Sequence, residues 1–287
     1  MKKFFIITNK SRDEELVKTA EVERAIVSCG GIVTGRVSRL AQDDASCYER
    51  VLAKIPDDTE CIVTLGGDGT MLRAARTLYT RALPFLGINL GNLGYLTEGS
   101  GCSAEELFAH IINDDYVIER RMLVKGSVIR GGTEIETRTA LNDITLNRSQ
   151  SLRIINFNLY VNGEFLYNYR ADGIIVSTPT GSTAYNLSCG GPVVEPTARL
   201  LLITPIAPHS LNNRSLVLSA EDTVELEILS SEKDPDQQIE YVAYFDSDAK
   251  LDLQPGDRIR ISAADKDAGL VRQSRRSFLE TLRAKLS

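Results

Sequence analysis

Cys61-Ile62-Val63-Thr64-Leu65, running into Gly66-Gly67-Asp68-Gly69-Thr70, is the stretch on which the reading of this chain turns. The five residues before the glycines are mostly β-branched or apolar and read as a buried strand. Behind the glycines, the segment from Met71 to Tyr79 carries apolar residues at 71, 72, 75, 78 and 79, the spacing of one helix face. A strand, a glycine turn and a helix N-terminus form an anion site. The glycines let backbone approach a phosphate, and the unpaired N–H groups and positive end of the helix face it. Inside that turn lies a carboxylate, Asp68. Phosphates repel it, so an acid here suits a metal partner or a proton acceptor better than a phosphate cradle. The same residues also fit a plain tight turn with Asp68 or Thr70 as helix N-cap.

Outward from this turn, the N-terminal part alternates strands and helices. Phe4–Thr8 reads as a first strand, followed by a charged helix over Asp13–Cys29 with Leu16, Ala20, Val22 and Ile26 inward and Gly30-Gly31 at its end. Ile32–Val37 is a second strand, Leu52–Ile55 closes a short helix before Pro56, and Pro84–Asn89 is a strand beyond the glycine-turn helix. This alternation predicts a parallel sheet, and in such sheets phosphate ligands sit beyond the strand C-terminal ends, where Gly66–Thr70 lies. Character changes near residue 100. Ser103–Asn113 reads as a helix with Ser103 as cap and Glu106 completing a capping box. Strand signals then dominate: Val117–Arg121, Met122–Arg130, Glu134–Ala140, Asp143–Asn147, Ile154–Val161, Glu164–Tyr169, Gly173–Ser177, Val217–Leu218, Thr223–Ser230, Gln238–Phe245 and Arg258–Ala263. Val161-Asn162-Gly163-Glu164 is a hairpin signal. The expectation is an α/β domain over residues 1–100 and an antiparallel β-sandwich over 101–271. A basic amphipathic helix in 272–287 is expected to pack back on the first domain.

Composition sets the bounds. The 287 residues are 43% hydrophobic and 25% charged, which is globular and long enough for a substantial core. A net charge of −6 argues against nucleic-acid binding through bulk positive charge. No apolar run approaches the ~18 residues of a membrane span, and Phe4–Ile7 is too short for a signal-peptide core. Five cysteines, at 29, 47, 61, 102 and 189, include no C-x-x-C pair and suit reduced thiols in a cytoplasm. Two histidines, His110 and His209, are too few for a His-rich metal site.

The densest stretch of the second half is Tyr169-Arg170-Ala171-Asp172-Gly173 through Thr178-Pro179-Thr180-Gly181-Ser182-Thr183-Ala184-Tyr185-Asn186. A strand runs into a loop crowded with hydroxyls, which suits a ribose, an adenine edge or phosphates. It is also the composition of a polar loop bonding its own backbone. Leu141-Asn142-Asp143 adds an acid–amide pair at a strand start. No Walker loop is present. Gly87-Ile88-Asn89-Leu90-Gly91-Asn92-Leu93-Gly94 misses the dinucleotide fingerprint because Asn89 replaces a required glycine. It remains a glycine-rich ligand loop with Tyr95 available to stack.

Taken together, Gly66–Thr70, Gly87–Asn89, Gly94–Thr97, Leu141–Asp143, Arg170–Gly173, Thr183–Tyr185, Gly190-Gly191-Pro192 and Thr204-Pro205-Ile206-Ala207-Pro208-His209-Ser210-Leu211 resemble the ATP-NAD kinase family in its bacterial form. The match is collinear from residue 4 to about 263, and the Asp172–Tyr185 block is its specific part. The resemblance implies an N-terminal Rossmann-like parallel sheet domain and a C-terminal antiparallel β-sandwich. It also implies phosphorylation of the adenosine-ribose 2′-hydroxyl of NAD by ATP, with Mg²⁺ as the divalent cation. Asp68 would be the catalytic acid–base residue, while Gly66, Gly67, Gly69 and Thr70 would hold donor phosphates. Gly69, Tyr95, Asn142, Asp143, Asp172, Thr180, Thr183, Ala184, Tyr185 and Asp246 would surround NAD. Tyr95 would lie by the adenine and Asp172 near the nicotinamide end. Family members more often carry Asn-Glu where this chain has Asn142-Asp143, so the acid here reaches one methylene less. Relatives of this kind are homodimers or homotetramers acting on small molecules, not on nucleic acid or membranes. A lipid kinase sharing the glycine turn and a non-catalytic NAD(P)-binding sensor are the alternative readings.

Overall fold

The computed structural model describes residues 1–38, 50–91, 94–98, 103–149, 154–209, 214–230, 241–273 and 277–286. The chain divides into two compact units, residues 1–121 with 266–287, and residues 122–265.

The first unit is built on one six-stranded sheet. Its strands are β1 (Lys3–Thr8), β2 (Ile32–Ser38), β3 (Cys61–Gly66), β4 (Phe85–Asn89), β5 (Val117–Arg121) and, from the far end of the chain, β18 (Ala268–Arg272). The order is β2-β1-β3-β4-β18-β5, with β1 to β4 parallel and β5 antiparallel to β18. Every residue of β3 is buried, as its unbroken apolar run requires of a central parallel strand.

Helix α1 (Val17–Ser28) begins later than its charge pattern implied. The Asp13 carboxylate accepts the N–H groups of Lys18 at 3.1 Å and Thr19 at 2.8 Å, so Asp13 caps from a preceding turn. The inner face is Thr19, Val22, Ala25 and Ile26; Ala20 is exposed and Leu16 precedes the helix, a correction to the expected face. Gly30, at φ +86°, ends the helix in the left-handed region, and the Gly31 N–H returns to Ile26 O at 2.8 Å. Helix α2 (Asp68–Leu78) follows β3, and α3 (Ala104–Ile112) carries the expected capping box: Ser103 Oγ accepts the Glu106 N–H, and Glu106 accepts that of Ser103.

The second unit is a sandwich of two six-stranded antiparallel sheets. One contains β6 (Val124–Arg130), β7 (Thr133–Ala140), β9 (Ile155–Val161), β10 (Glu164–Ala171), β14 (Val224–Ile228) and β17 (Arg258–Ala263), ordered β10-β9-β14-β17-β6-β7. The other contains β8 (Asp143–Arg148), β11 (Gly173–Ser177), β12 (Leu200–Ile206), β13 (Leu216–Ser219), β15 (Tyr241–Phe245) and β16 (Ala249–Leu253), ordered β13-β12-β11-β8-β15-β16. One apolar core joins them, with Val128, Phe157, Leu226 and Ile259 from one sheet and Ile144, Ile174, Ile203 and Phe245 from the other.

The domain boundary is therefore not at residue 100. Helix α3 and β5 belong to the first unit, and the chain returns to it at 266, through a strand before any helix. Local strand signals marked Val117–Arg121 as a strand but could not say which sheet would hydrogen-bond to it. Of the C-terminal region expected to be helical, Phe278–Leu286 forms helix α4, and residues 274–276 lie outside the described residues. So do Gln238–Glu240, Asn92-Leu93, Ser210-Leu211, Cys47 and Cys102.

Candidate functional site

In the first unit the glycine turn opens helix α2. Gly67, not Asp68 or Thr70, is the N-cap, with extended backbone and no side-chain capping bond. This leaves Asp68 in the first helical turn, where its charge suits the positive helix end. Its carboxylate faces the Tyr95–Thr97 segment. Oδ2 accepts the Tyr95 N–H at 2.8 Å, and Oδ1 accepts the Leu96 N–H at 3.1 Å and the Thr97 hydroxyl at 3.3 Å. Gly94 is what permits this approach, since a Cβ there would collide with Asp68 Oδ1. Gly66 is required for a similar reason, because a Cβ would strike the Thr70 side chain, whose Oγ1 also receives Asn9 Nδ2 at 3.3 Å. At Gly67 and Gly69 a Cβ would meet no atom of the described residues within 4 Å. Among the described residues, no packing demands glycine at those two positions.

Tyr95 is held from two further sides. Arg272 Nη2 donates to its carbonyl at 2.8 Å, and the Lys285 ammonium lies 5.4 Å from the centre of its ring. Burial raises the Tyr95 phenol above its usual value, and the nearby Asp68 charge adds to that.

In the second unit, Asn142 and Asp143 open β8. Asp246, at φ +54°, accepts the N–H groups of Leu141 at 3.0 Å, Asn142 at 2.7 Å and Asp143 at 3.4 Å. It thus clamps the backbone of the Leu141–Asp143 turn. Asp143 is 1% exposed, and its Oδ1 is among the few buried side-chain atoms of the described residues with no hydrogen-bond partner. Burial pushes its carboxyl up to about 7, reinforced by the Asp246 charge. Asp172 is bound in a two-point pair with Arg148, at 2.9 Å and 3.0 Å.

The hydroxyl-rich loop after β11 is partly its own scaffold. Thr178 Oγ1 donates to Leu141 O at 2.6 Å, Ser177 Oγ donates to Asn142 O at 3.1 Å, and Gly181 leaves no room for a Cβ against Asn142 O. The loop and the Asn142-Asp143 turn are therefore one folded block. Thr180 is buried, Thr183 and Ala184 are half-buried, and Tyr185 is 39% exposed. Burial raises the Tyr185 phenol, and Cys189 contributes. Asn186 is fully buried. Its Nδ2 donates to Ser182 O at 3.2 Å and Pro192 O at 3.1 Å, and its Oδ1 accepts the Thr204 hydroxyl at 2.7 Å. Gly191 has room for no Cβ against that amide, which accounts for the Gly190-Gly191-Pro192 turn.

The first-unit residues Gly66, Gly67, Asp68, Gly69, Thr70 and Tyr95 thus share one neighbourhood, and Asn142, Asp143, Thr180, Thr183, Ala184 and Asp246 share another in the second unit. Models of the ATP-NAD kinase N-terminal domain and C-terminal domain match residues 4–116 and 141–273. The NAD kinase of Lachnospira eligens is 42% identical over 294 residues, 100% of both chains. The chain belongs to the ATP-NAD kinase family. Within that family it is also 42% identical to the NAD kinase of Agathobacter rectalis, over 100% of this chain and 99% of the relative. An NAD kinase from Archaeoglobus fulgidus, solved in complex with ATP, matches with a TM-score of 0.74 at 26% identity, covering 98% of this chain and 99% of its own. A yeast NADH kinase, solved with NADH, shares the fold at a TM-score of 0.78 and 24% identity, covering 100% of this chain and 87% of its own.

Sequence reasoning on this ATP-NAD kinase family member did not single out Thr97, Arg148, Asn186 or Arg272 as parts of the site. Thr97 and Asn186 stand within quoted motifs, but nothing in their spacing says whose oxygen they meet. Arg272 is about 200 residues from Asp68 along the chain, and only the β18 pairing brings it near.

Proposed function

We propose that this chain is an NAD kinase that transfers the γ-phosphate of ATP to the 2′-hydroxyl of the adenosine ribose of NAD, giving NADP and ADP. The observation that carries the reading is the Asp68 carboxylate, fixed at the mouth of a glycine turn by two backbone N–H groups and a hydroxyl. Such a carboxylate is held in place and still has a lone pair on Oδ2 for a substrate hydroxyl. It accepts a hydrogen bond from the 2′-hydroxyl and takes its proton as the O2′–P bond forms and the bond from Pγ to the ADP oxygen breaks. Gly66, Gly67, Gly69 and Thr70 receive the donor phosphates. The open space over Gly67 and Gly69 supports this, because close approach of a ligand explains glycines that internal packing does not.

Asn142 and Asp143 hold a ribose of NAD, and the unpartnered Asp143 Oδ1 is an acceptor that a ribose hydroxyl would satisfy. Thr180, Thr183, Ala184 and Tyr185 surround the substrate, Tyr95 offers a ring to adenine, and Asp172 with Arg148 lies toward the nicotinamide end. Asp246, expected to touch substrate, serves the site by holding the Leu141–Asp143 backbone. Among the described residues no three His, Cys, Asp or Glu side chains form a metal cage. A magnesium ion would come with the triphosphate, and Asp68 is the carboxylate of the glycine turn that would help hold it. When bound it would supply neutralisation of phosphate charge. We take the enzyme to be a cytoplasmic homodimer or homotetramer.

The test is NADP formation by purified protein from NAD, ATP and Mg²⁺, read by an NADP-specific dehydrogenase, with Asp68→Asn alongside. Asp68→Asn is expected to lose at least ~10²-fold in turnover, the low end for removing a general base, while keeping NAD affinity. Equal turnover would remove Asp68 from the mechanism. NAD binding without turnover by the unmutated chain would point to a sensor.

A further inference from the structure

Arg272 lies at the end of β18, its side chain 17% exposed and directed at three acceptors of the first unit. Nη2 donates to Tyr95 O at 2.8 Å, Nη1 lies 3.2 Å from Glu98 Oε1, and Nε lies 3.2 Å from Glu119 Oε2. Glu119 is shared with Arg121 at 2.6 Å. Burial alone would push the Glu119 carboxyl up, but the two arginines hold it below the usual carboxylate range. Arg272 is thus fixed from the sheet side.

The Tyr95 carbonyl and the Leu96 N–H belong to one peptide group. Its oxygen accepts from the Arg272 guanidinium, and its N–H donates to Asp68 Oδ1 at 3.1 Å. A planar amide between a cation and an anion is polarised along its dipole, and each bond strengthens the other. The far end of the segment is also fastened, since the Glu98 N–H donates to Gly87 O on β4 at 2.8 Å and the Glu98 side chain meets Arg272. Arg272 therefore grips the Tyr95–Glu98 segment at both ends, and that segment supplies every donor described on the Asp68 carboxylate.

We propose that Arg272 is a positioning residue for phosphoryl transfer, orienting Asp68 through the Tyr95–Leu96 peptide without touching substrate. This rests on the reading of Asp68 as the proton acceptor. It makes the C-terminal strand part of the catalytic apparatus and predicts an effect on turnover with little effect on NAD binding.

The experiment measures kcat and KM for NAD in Arg272→Gln and Arg272→Lys, each alone and combined with Asp68→Asn. Arg272→Gln is expected to lose about tenfold in kcat, the scale of one charge-assisted hydrogen bond, with KM within about twofold. Arg272→Lys, which keeps a charged donor for Tyr95 O but not the fork to Glu98, recovers part of that loss. In the Asp68→Asn background the same substitutions change the residual rate by less than about twofold, because the group being positioned is gone. An equal loss in both backgrounds would make Arg272 a support of the sheet only and overturn the proposal, as would an unchanged kcat in Arg272→Gln. If Arg272→Gln fails to fold, Arg272→Lys in the two backgrounds carries the same comparison. Failure of the functional reading is distinct, since the unmutated chain would then form no NADP.

Discussion

At the scale of single residues, the site depends on space as much as on charge. Gly94 bears no ligand-binding group, yet the Asp68 carboxylate occupies the volume its side chain would need. Gly94→Ala should therefore move Asp68 or the Tyr95–Thr97 segment and cost about 10²-fold in kcat, the scale of an ångström-sized misplacement. Steady-state kinetics check this, and unchanged turnover would mean that the segment yields without moving the acid. Asp143 makes a different case. Its carboxyl is raised from 3.8 to about 7 in the folded chain, so the folded state holds the proton more tightly than the unfolded one. The resulting stability is present below about pH 4 and is lost as pH rises through 7. Asp143→Asn cannot ionise and should gain on the unmutated chain between pH 5 and 8, by a ceiling on the order of 4 kcal/mol. Thermal unfolding of both proteins across that range checks it; a difference that does not change with pH would contradict it.

At the scale of elements, strands with strong alternation or unbroken apolar runs were legible, and weakly marked ones were not. Gly173–Ser177, Arg258–Ala263 and Val117–Arg121 form as read. β12 was missed, and it contains Pro205. Its neighbour β13 pairs only with Leu200–Ile203, so Pro205 has an open flank where a strand tolerates proline. β16 and β18 were not read as strands either. The loop after β11 owes its shape to Asn186, which ties two carbonyls and a threonine hydroxyl around one amide. Asn186→Ala would take the amide away from the Ser182 and Pro192 carbonyls, while the Thr204 hydroxyl keeps Ser215 Oγ at 2.9 Å, at a cost of about 2–3 kcal/mol. A lowered denaturant midpoint with a raised KM for NAD is the expected result. A raised KM at full stability would make Asn186 a direct ligand.

At the scale of the whole molecule, the chain closes on itself. β18 lies between β4 and β5, with Ala268, Leu270 and Val271 buried. A chain ending at Asp265 would leave β5 without its partner and expose the flank of β4. It should lose the first unit, with residues 1–121 becoming susceptible to limited proteolysis while 122–265 stay resistant; a resistant first unit would show that β18 is dispensable. The sequence by itself determined the strand–glycine turn–helix, the capping box, the run of sandwich strands, and the glycines, acids and hydroxyls of the site. Those signals are local: period, chain reversal and residue chemistry are written within about a dozen positions. Tertiary structure alone decided where the first unit ends, that Asp246 clamps a turn, and that Asp68 is held by the Tyr95–Thr97 segment with Arg272 behind it. Hydrogen bonds between residues 27 to 177 positions apart leave no mark in local spacing, because their geometry exists only once the sheet has brought the strands together.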